Sequence, residues 1–279
     1  MTTAVITFTY NEAVNLPIWI RYYGKHFGED NLFVVDRGSD DESLTKIGRA
    51  NLIRVPRKSF DEFEKTNFVS KFHASLLNFY DTVIITDCDE ILVADPLKFS
   101  NIQEYVENMD VEHINAIGLQ VLHIIDRENP IDLCKPILSQ RSYSCFSSLY
   151  SKPLISRVPM EWTVGFHSSD RAAQFDGGLY LFHTKVMDFN IALARQQINR
   201  DTIWSTRSLE LNLGFQHRFD DEQFVHRYFH SPLDIINRGE VHEFDFSVEV
   251  GQIIANTREL NLQKIEKIVR IPERFQSAF

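Results

Sequence analysis

Short runs of apolar and β-branched residues, each closed by a polar cluster, recur through the first hundred positions. Ala4 to Thr9 (AVITFT) is such a run, of strand length and without polar alternation, as expected of a strand buried on both faces. Asn11 then offers an N-cap for a helix that ends near Gly28. Asn31 to Asp36 reads as a second strand, Ser39 to Gly48 as a short helix opened by Ser and Asp, and Ala50 to Pro56 as a third strand. From Glu64 to Tyr80 the positions Phe68, Phe72, Leu76 and Phe79 fall at helical spacing, and Thr82 to Asp87 (TVIITD) follows as a fourth strand. The alternation predicts an α/β fold whose mostly parallel sheet is flanked by right-handed helical crossovers. Further on, 188–199, 202–213 and 248–268 read as helices, the last with a broken apolar stripe of Val250, Ile253, Ile254, Leu260, Ile265 and Ile268. Phe224 to His230 (FVHRYFH) reads as an aromatic-rich helix face.

The polar clusters fall at the carboxyl ends of the strands: Tyr10, Asn11 and Glu12 after the first, Asp36, Ser39, Asp40 and Asp41 after the second, Asp87, Asp89 and Glu90 after the fourth. Turn chemistry accounts for any one of them. Their common edge is where open α/β sheets bind ligands. In an extended segment Asp87 and Asp89 point to one side and Cys88 to the other, so two carboxylates face one ligand while the thiol packs inward as a small hydrophobe. A hard divalent cation held by such carboxylates can bridge a diphosphate, which lets an acidic rim bind an anionic ligand.

Composition narrows the class. With 279 residues, 43% hydrophobic and 24% charged, the chain suits one large globular α/β domain or a domain with an extension. A formal net charge of -10 argues against a nucleic-acid binder, whose affinity rests on Lys and Arg contacts to phosphate. The cysteines, Cys88, Cys134 and Cys145, form neither a C-x-x-C pair nor an even set, which favours a reducing, cytoplasmic setting. No apolar run reaches 18 residues, and the N-terminus lacks the basic start of a signal peptide, so no transmembrane segment is expected. The 22 Phe lie mainly inside periodic runs and are read as core.

Taken in order, TYNE (Thr9 to Glu12), DRGSDD (Asp36 to Asp41) and DCDEIL (Asp87 to Leu92) resemble the successive motifs of family 2-like glycosyltransferases of GT-A fold, the last matching their D-x-D signature. The resemblance covers roughly the first hundred residues. Arg37 departs from it, since many relatives carry a small or polar residue there. It implies a GT-A-like, Rossmann-like catalytic domain over 1–187, with 1–100 binding the nucleotide sugar and 101–187 the acceptor, and a helical C-terminal extension, 188–279, packed on the same domain. It further implies transfer of a sugar from a UDP- or GDP-linked donor to a glycan, lipid-linked or other hydroxyl acceptor, with inversion and with Mn2+ or Mg2+ as cofactor. Such an enzyme would be cytoplasmic, with peripheral membrane association left open.

By the same resemblance, Asp89 is the direct metal ligand, and Asp87 meets the ribose or a metal-bound water. Tyr10 flanks the base, Asp36 meets base or ribose, and Asn11 belongs to the same nucleotide-binding loop. Glu12 holds the ribose or is simply an acid at a helix N-terminus. Lys71 approaches the nucleotide or is a solvated helix residue, and Glu90 supports the metal ligands or is solvated. A downstream histidine completes the metal site, His183 ahead of His167, with His123, His226 and His230 behind. An inverting transfer needs a carboxylate base, for which Asp170, Glu161 and Asp176 are candidates, with Trp162 as a sugar-stacking platform. Two other readings stand beside this one, a sugar-nucleotide nucleotidyltransferase and a catalytically silent glycan-binding module. The first commonly needs a Gly-rich loop after the first strand, where this chain has TYNEAVN.

Overall fold

In the computed structural model, which describes residues 1–56, 59–256 and 264–279, the first hundred residues form β1 (Thr3–Thr9), α1 (Asn15–Phe27), β2 (Leu32–Asp36), β3 (Asn51–Arg54), α2 (Glu62–Leu76), β4 (Thr82–Ile85) and β5 (Glu90–Ala94). Then come α3 (Ile102–Asn108), β6 (His113–Asn115), β7 (Ile117–Val121), β8 (Tyr143–Ser147), β9 (Pro153–Ser156) and β10 (Leu179–His183). The chain continues through α4 (Phe189–Arg200), α5 (Thr206–Glu210), α6 (Asp221–Val225), a π-helical turn at His226–His230, α7 (Ser231–Asn237), α8 (Ser247–Asn256) and β11 (Glu266–Arg270).

The fold is mixed α/β. Its first sheet runs β3-β2-β1-β4-β9-β6 and is parallel from β3 through β4, with β9 and β6 added antiparallel. A second sheet runs β11-β8-β7-β10-β5. There β10 lies between β7, to which it is parallel, and β5, to which it is antiparallel with His183 opposite Glu90.

Helix α1 buries Leu16, Trp19, Ile20 and Tyr23, one stripe at helical spacing. That stripe also fixes the strand that follows the D-x-D motif. Trp19 Nε1 donates to Thr86 Oγ1 at 2.7 Å, and Tyr23 OH accepts from Leu92 N at 2.9 Å while donating to the Glu90 carbonyl at 3.2 Å. Gly118 in β7 permits another close approach: a Cβ there would lie 2.2 Å from the Tyr150 carbonyl carbon, so only glycine lets the Tyr150 backbone rest on the sheet.

Several elements depart from the sequence pattern. Asn11 does not cap α1, which starts at Asn15 without a side-chain cap. It sits at φ 51° and its amide donates to Asp40 Oδ1 at 2.7 Å, bracing the first loop against the second. Helix α2 starts earlier than expected because Asp61 caps it, accepting from Phe63 N and Glu64 N at 2.9 and 3.0 Å, and it ends before Phe79, which is 82% exposed. The helix expected over 202–213 shrinks to α5, capped by Ser205. The helix expected over 248–268 ends with α8, Leu260 lies outside the described residues, and Ile268 belongs to β11, which pairs antiparallel with β8. The C-terminal segment is therefore mainly helical but closes the second sheet with a strand.

A smaller core under α2 contains Val69, Leu76, Trp162, Phe166 and the fully buried His73. The His73 ring meets Trp162 edge-on at 4.8 Å and neither of its nitrogens has a hydrogen-bond partner. Burial lowers its pKa from 6.5 to about 4. Between those values the unfolded chain binds a proton that the folded chain refuses, so the stability present above 6.5 is lost as the pH falls toward 4. The loss amounts to ~3 kcal/mol. His73→Phe, which keeps a ring against Trp162, should flatten the fall in melting temperature between pH 6.5 and pH 4.5; parallel wild-type and variant curves would refute this.

Candidate functional site

A cleft of about 210 Å3 opens at the carboxyl ends of β1 and β4. Tyr10, Glu12, Asp87, Cys88, Asp89, Glu90, His167 and His183 from the sequence reading all line it. The β5–β10 register is what brings the two halves of the chain together there. It sets Thr184 N on the Asp89 carbonyl at 2.7 Å and His183 Nε2 3.1 Å from Asp89 Oδ2.

The tautomer of His183 follows from its other partner. Gln120 Nε2 donates to the carbonyls of His183 and Val121 at 2.8 and 3.3 Å, which leaves Gln120 Oε1 to accept from His183 Nδ1 at 2.8 Å. A neutral ring then turns the Nε2 lone pair toward the Asp89 carboxylate. Two acceptors this close require a proton or a cation between them. Burial would raise the Asp89 carboxyl, but with a proton between the two groups His183, with Lys185 and Arg195 beyond it, holds it well below the usual carboxylate range. The Tyr150 ring packs on His183 at 4.5 Å and completes the imidazole's setting. Asp89 and His183 thus fit a divalent cation; among the described residues no group of three His, Cys, Asp or Glu is placed to hold one, so other positions would fall to ligand and water.

Asp87 is set differently. Lys65 Nζ lies 2.9 Å from its Oδ1 and Lys152 Nζ 3.8 Å from its Oδ2. Burial pushes its pKa up, and the two lysines bring it net below the usual value. Lys152 also pairs with Glu90 Oε1 at 2.5 Å, and the other Glu90 oxygen accepts from Asp87 N at 3.1 Å. Glu90 is 1% exposed, so it is a structural partner and not a solvated side chain. Glu12 is pushed up to about 7 by burial, against the pull of Arg195, whose NH2 lies 2.8 Å from Oε1. Arg195 NH1 also donates to the Tyr10 and Asn11 carbonyls at 2.8 Å each, so α4 straps the first loop.

The C-terminal segment covers the cleft. Phe60 N donates to Ile203 O at 2.7 Å and Ser205 N to Phe60 O at 2.9 Å, which docks Trp204 against Phe60 with rings 5.0 Å apart. Trp204 stacks in turn on His217 at 5.8 Å. Gly214, at φ 60°, makes room for the indole, since a Cβ there would lie 2.3 Å from Trp204 Cη2.

Other expected residues fall elsewhere. Asp36 is fully buried off the cleft, accepting from Ser39 N at 2.8 Å with Arg54 at 3.6 Å. Lys71 is exposed on the outer face of α2, and Lys65 takes the cleft position. Asp170 and Glu161 brace a turn, Asp170 N donating to the Glu161 carbonyl and Glu161 N to Asp170 Oδ1, each at 2.9 Å, and Asp176 accepts from Tyr105 OH at 2.6 Å and Gly178 N at 2.7 Å; none of the three lines the cleft. Trp162 is core, with Nε1 donating to Pro153 O at 2.8 Å, so it offers no open face. His123 braces Phe189 N, and His226 and His230 sit on the π-helical turn. His167 does line the cleft, but its Nδ1 bonds the Leu149 carbonyl at 2.6 Å, and burial and Lys152 lower its pKa to about 4.

Sequence reasoning missed Glu62, Lys65, Tyr150, Lys152, Lys185, Arg195, Trp204 and His217, all of which line the cleft. Among the described residues no helix is long and apolar enough to cross a membrane.

No protein-family model matches the chain, and no curated protein matches it. Among solved structures, glucosyl-3-phosphoglycerate synthase from Mycobacterium tuberculosis, in complex with Mn2+, uridine diphosphate and glucosyl-3-phosphoglycerate, is similar at 22% identity and a TM-score of 0.25, covering 32% of this chain and 34% of its own. CMP:2-keto-3-deoxy-manno-octonic acid synthetase, complexed with CTP, is similar at 11% identity and a TM-score of 0.30, covering 86% and 87%. The chain thus spans about a third of the first of these proteins.

Proposed function

We propose that the chain is a metal-dependent glycosyltransferase that moves a sugar from a UDP- or GDP-linked donor to a hydroxyl of a glycan or lipid-linked acceptor, in polysaccharide or glycoconjugate synthesis. The observation that carries this reading is the Asp89–His183 pair, 3.1 Å apart with the tautomer fixed by Gln120, in a cleft at the strand ends. Asp89 and His183 would hold Mn2+ or Mg2+, an imidazole suiting Mn2+ better. When bound, the ion supplies positive charge that stabilises a departing diphosphate.

The chain's own residues do the remaining work. Arg195 fixes Tyr10 and Glu12 at the mouth of the cleft, where a nucleoside would lie. Lys65 and Lys152 keep Asp87 ionised and oriented. Lys185 and Arg195 offset the charge of Asp89 and of an incoming diphosphate. In this reading 1–187 is the catalytic body, and 188–279 takes part in the site through Arg195, Trp204 and His217. Neither the nucleotidyltransferase reading nor the silent-module reading is favoured by a specific contact in the cleft.

The test is thermal stabilisation by UDP, GDP and their sugars. With Mn2+, a matching nucleotide at 100 times its Kd should add about 2.7 kcal/mol and raise the melting temperature by several degrees. Removing the metal with EDTA should abolish the gain. Equal stabilisation in EDTA and in Mn2+ would overturn the reading.

A further inference from the structure

Five carboxylates line the cleft among the described residues, and four are visibly engaged. Glu12 has Arg195 on one oxygen and Asn15 on the other, at 2.8 and 3.1 Å; Glu90 has Lys152 and the Asp87 amide; Asp87 lies between two lysines; Asp89 faces His183. Glu62 is the exception. Its side chain is nine-tenths buried at 9% exposure, yet its Oε2 has no hydrogen-bond partner. Leaving such an atom buried and unpaired is costly unless something else satisfies it.

The neighbourhood supplies complementary groups. Trp204 Nε1 and His217 Nδ1 are likewise buried without partners, and both line the same cleft on the segment docked against Phe60. An acceptor oxygen, an indole N–H and an imidazole nitrogen beside aromatic rings suit a hydroxylated ring: the polar atoms meet its hydroxyls and the rings its C–H face. Burial raises the Glu62 carboxyl above its ordinary value, Lys65, Lys152 and Arg37 opposing the shift and Asp87 adding to it. A carboxylate so raised takes a proton more readily.

We propose that Glu62 is the general base of the transfer and that Glu62, Trp204 and His217 form the acceptor subsite, which takes a neutral hydroxylated ring. The proposal rests on the glycosyltransferase reading. Glu62 removes the proton of the acceptor hydroxyl as that oxygen's electron pair forms the bond to the anomeric carbon. The bond from the anomeric carbon to the diphosphate breaks, its electron pair leaves with the nucleoside diphosphate, and Glu62 later returns the proton to water.

The test uses the full chain with Mn2+, a panel of UDP- and GDP-sugars, and methyl glycosides or water as acceptor, and follows nucleoside-diphosphate release together with UDP affinity. Glu62→Gln should lower kcat by roughly 100- to 10,000-fold, the range for loss of a general base, with donor KM and UDP affinity unchanged. Glu64→Gln, an exposed acid in the same helical turn, should behave as wild type. Should the Gln variant not fold, Glu62→Asp keeps the charge but withdraws it by one methylene, and a large fall in kcat is again expected. An unchanged kcat in the substituted protein, or a loss of UDP affinity equal to the loss of rate, would overturn the assignment of Glu62 alone. A wild type that releases nucleoside diphosphate from no sugar in the panel would overturn the glycosyltransferase reading, and the base with it.

Discussion

Asp89→Asn is expected to remove the Mn2+-dependent part of nucleoside-diphosphate binding, a loss of more than about 100-fold, because in the proposed function it takes away a metal ligand and not merely a supporting group. The amide keeps the shape of the carboxylate but not its charge, and with His183 it would form a far weaker site. The fold should survive, since the Asp89 side chain is 20% exposed on the cleft wall and its backbone carbonyl, which bonds Thr184, is untouched. His183→Ala and Gln120→Leu form a graded series with it. Loss of the imidazole, or of the amide that fixes its tautomer, should each raise the Mn2+ concentration needed for half-maximal binding by roughly 10- to 100-fold. Calorimetric titration of UDP in Mn2+ and in EDTA reads all three. Asp89→Asn binding UDP with wild-type affinity in Mn2+ would separate the D-x-D motif from metal binding.

The second large effect is on stability. Lys152 lies between two acids, its side chain 5% and that of Glu90 2% exposed. Burial lowers its pKa, but Glu90 and Asp87 more than compensate and leave it net raised. Lys152→Met removes the cation and leaves a buried carboxylate without its ion pair, a loss of about 3–5 kcal/mol. For a chain of this size that is a drop of roughly 10 °C in melting temperature. Glu90→Gln in the same background should restore much of it, since the uncompensated charge is then gone. A single variant melting within error of wild type would mean that the Glu90–Lys152 pair contributes little to holding the loop.

What the sequence discloses of this fold is what depends on local order. Ala4 to Thr9 and Thr82 to Ile85 are continuous apolar runs and become adjacent parallel strands, because a strand buried on both faces has no polar alternation. The end of the helix expected over 248–268 is a strand instead: Ile265 and Ile268, three apart, suit a helix, but the chain uses 266–270 as a strand whose partner, β8, lies over a hundred residues away. Four acids of the cleft, Glu12, Asp87, Asp89 and Glu90, stand beside strand ends and could be picked out, whereas Glu62, at the start of α2, could not. The counterions of the four could not either, since Lys65, Lys152 and Arg195 find Asp87, Glu90 and Glu12 across 22, 62 and 183 positions, and no local pattern marks such pairings. Trp162 and Trp204 illustrate the same limit. Both neighbour polar residues, but one finds Pro153 in the core and the other the cleft, a choice made by packing alone.

The place of β10 bears on when the chain acquires this site. Asp89 and His183 are 94 residues apart, and β10 must slide between β7 and β5, strands that leave the ribosome well before it. Until that insertion Asp89 lacks the His183 imidazole and β5 lacks its strand partner. A nascent chain shorter than this would present its carboxylates to surrounding cations without the Asp89–His183 arrangement. Capacity for the metal would thus arrive late, in one step, with the insertion of β10 into the second sheet.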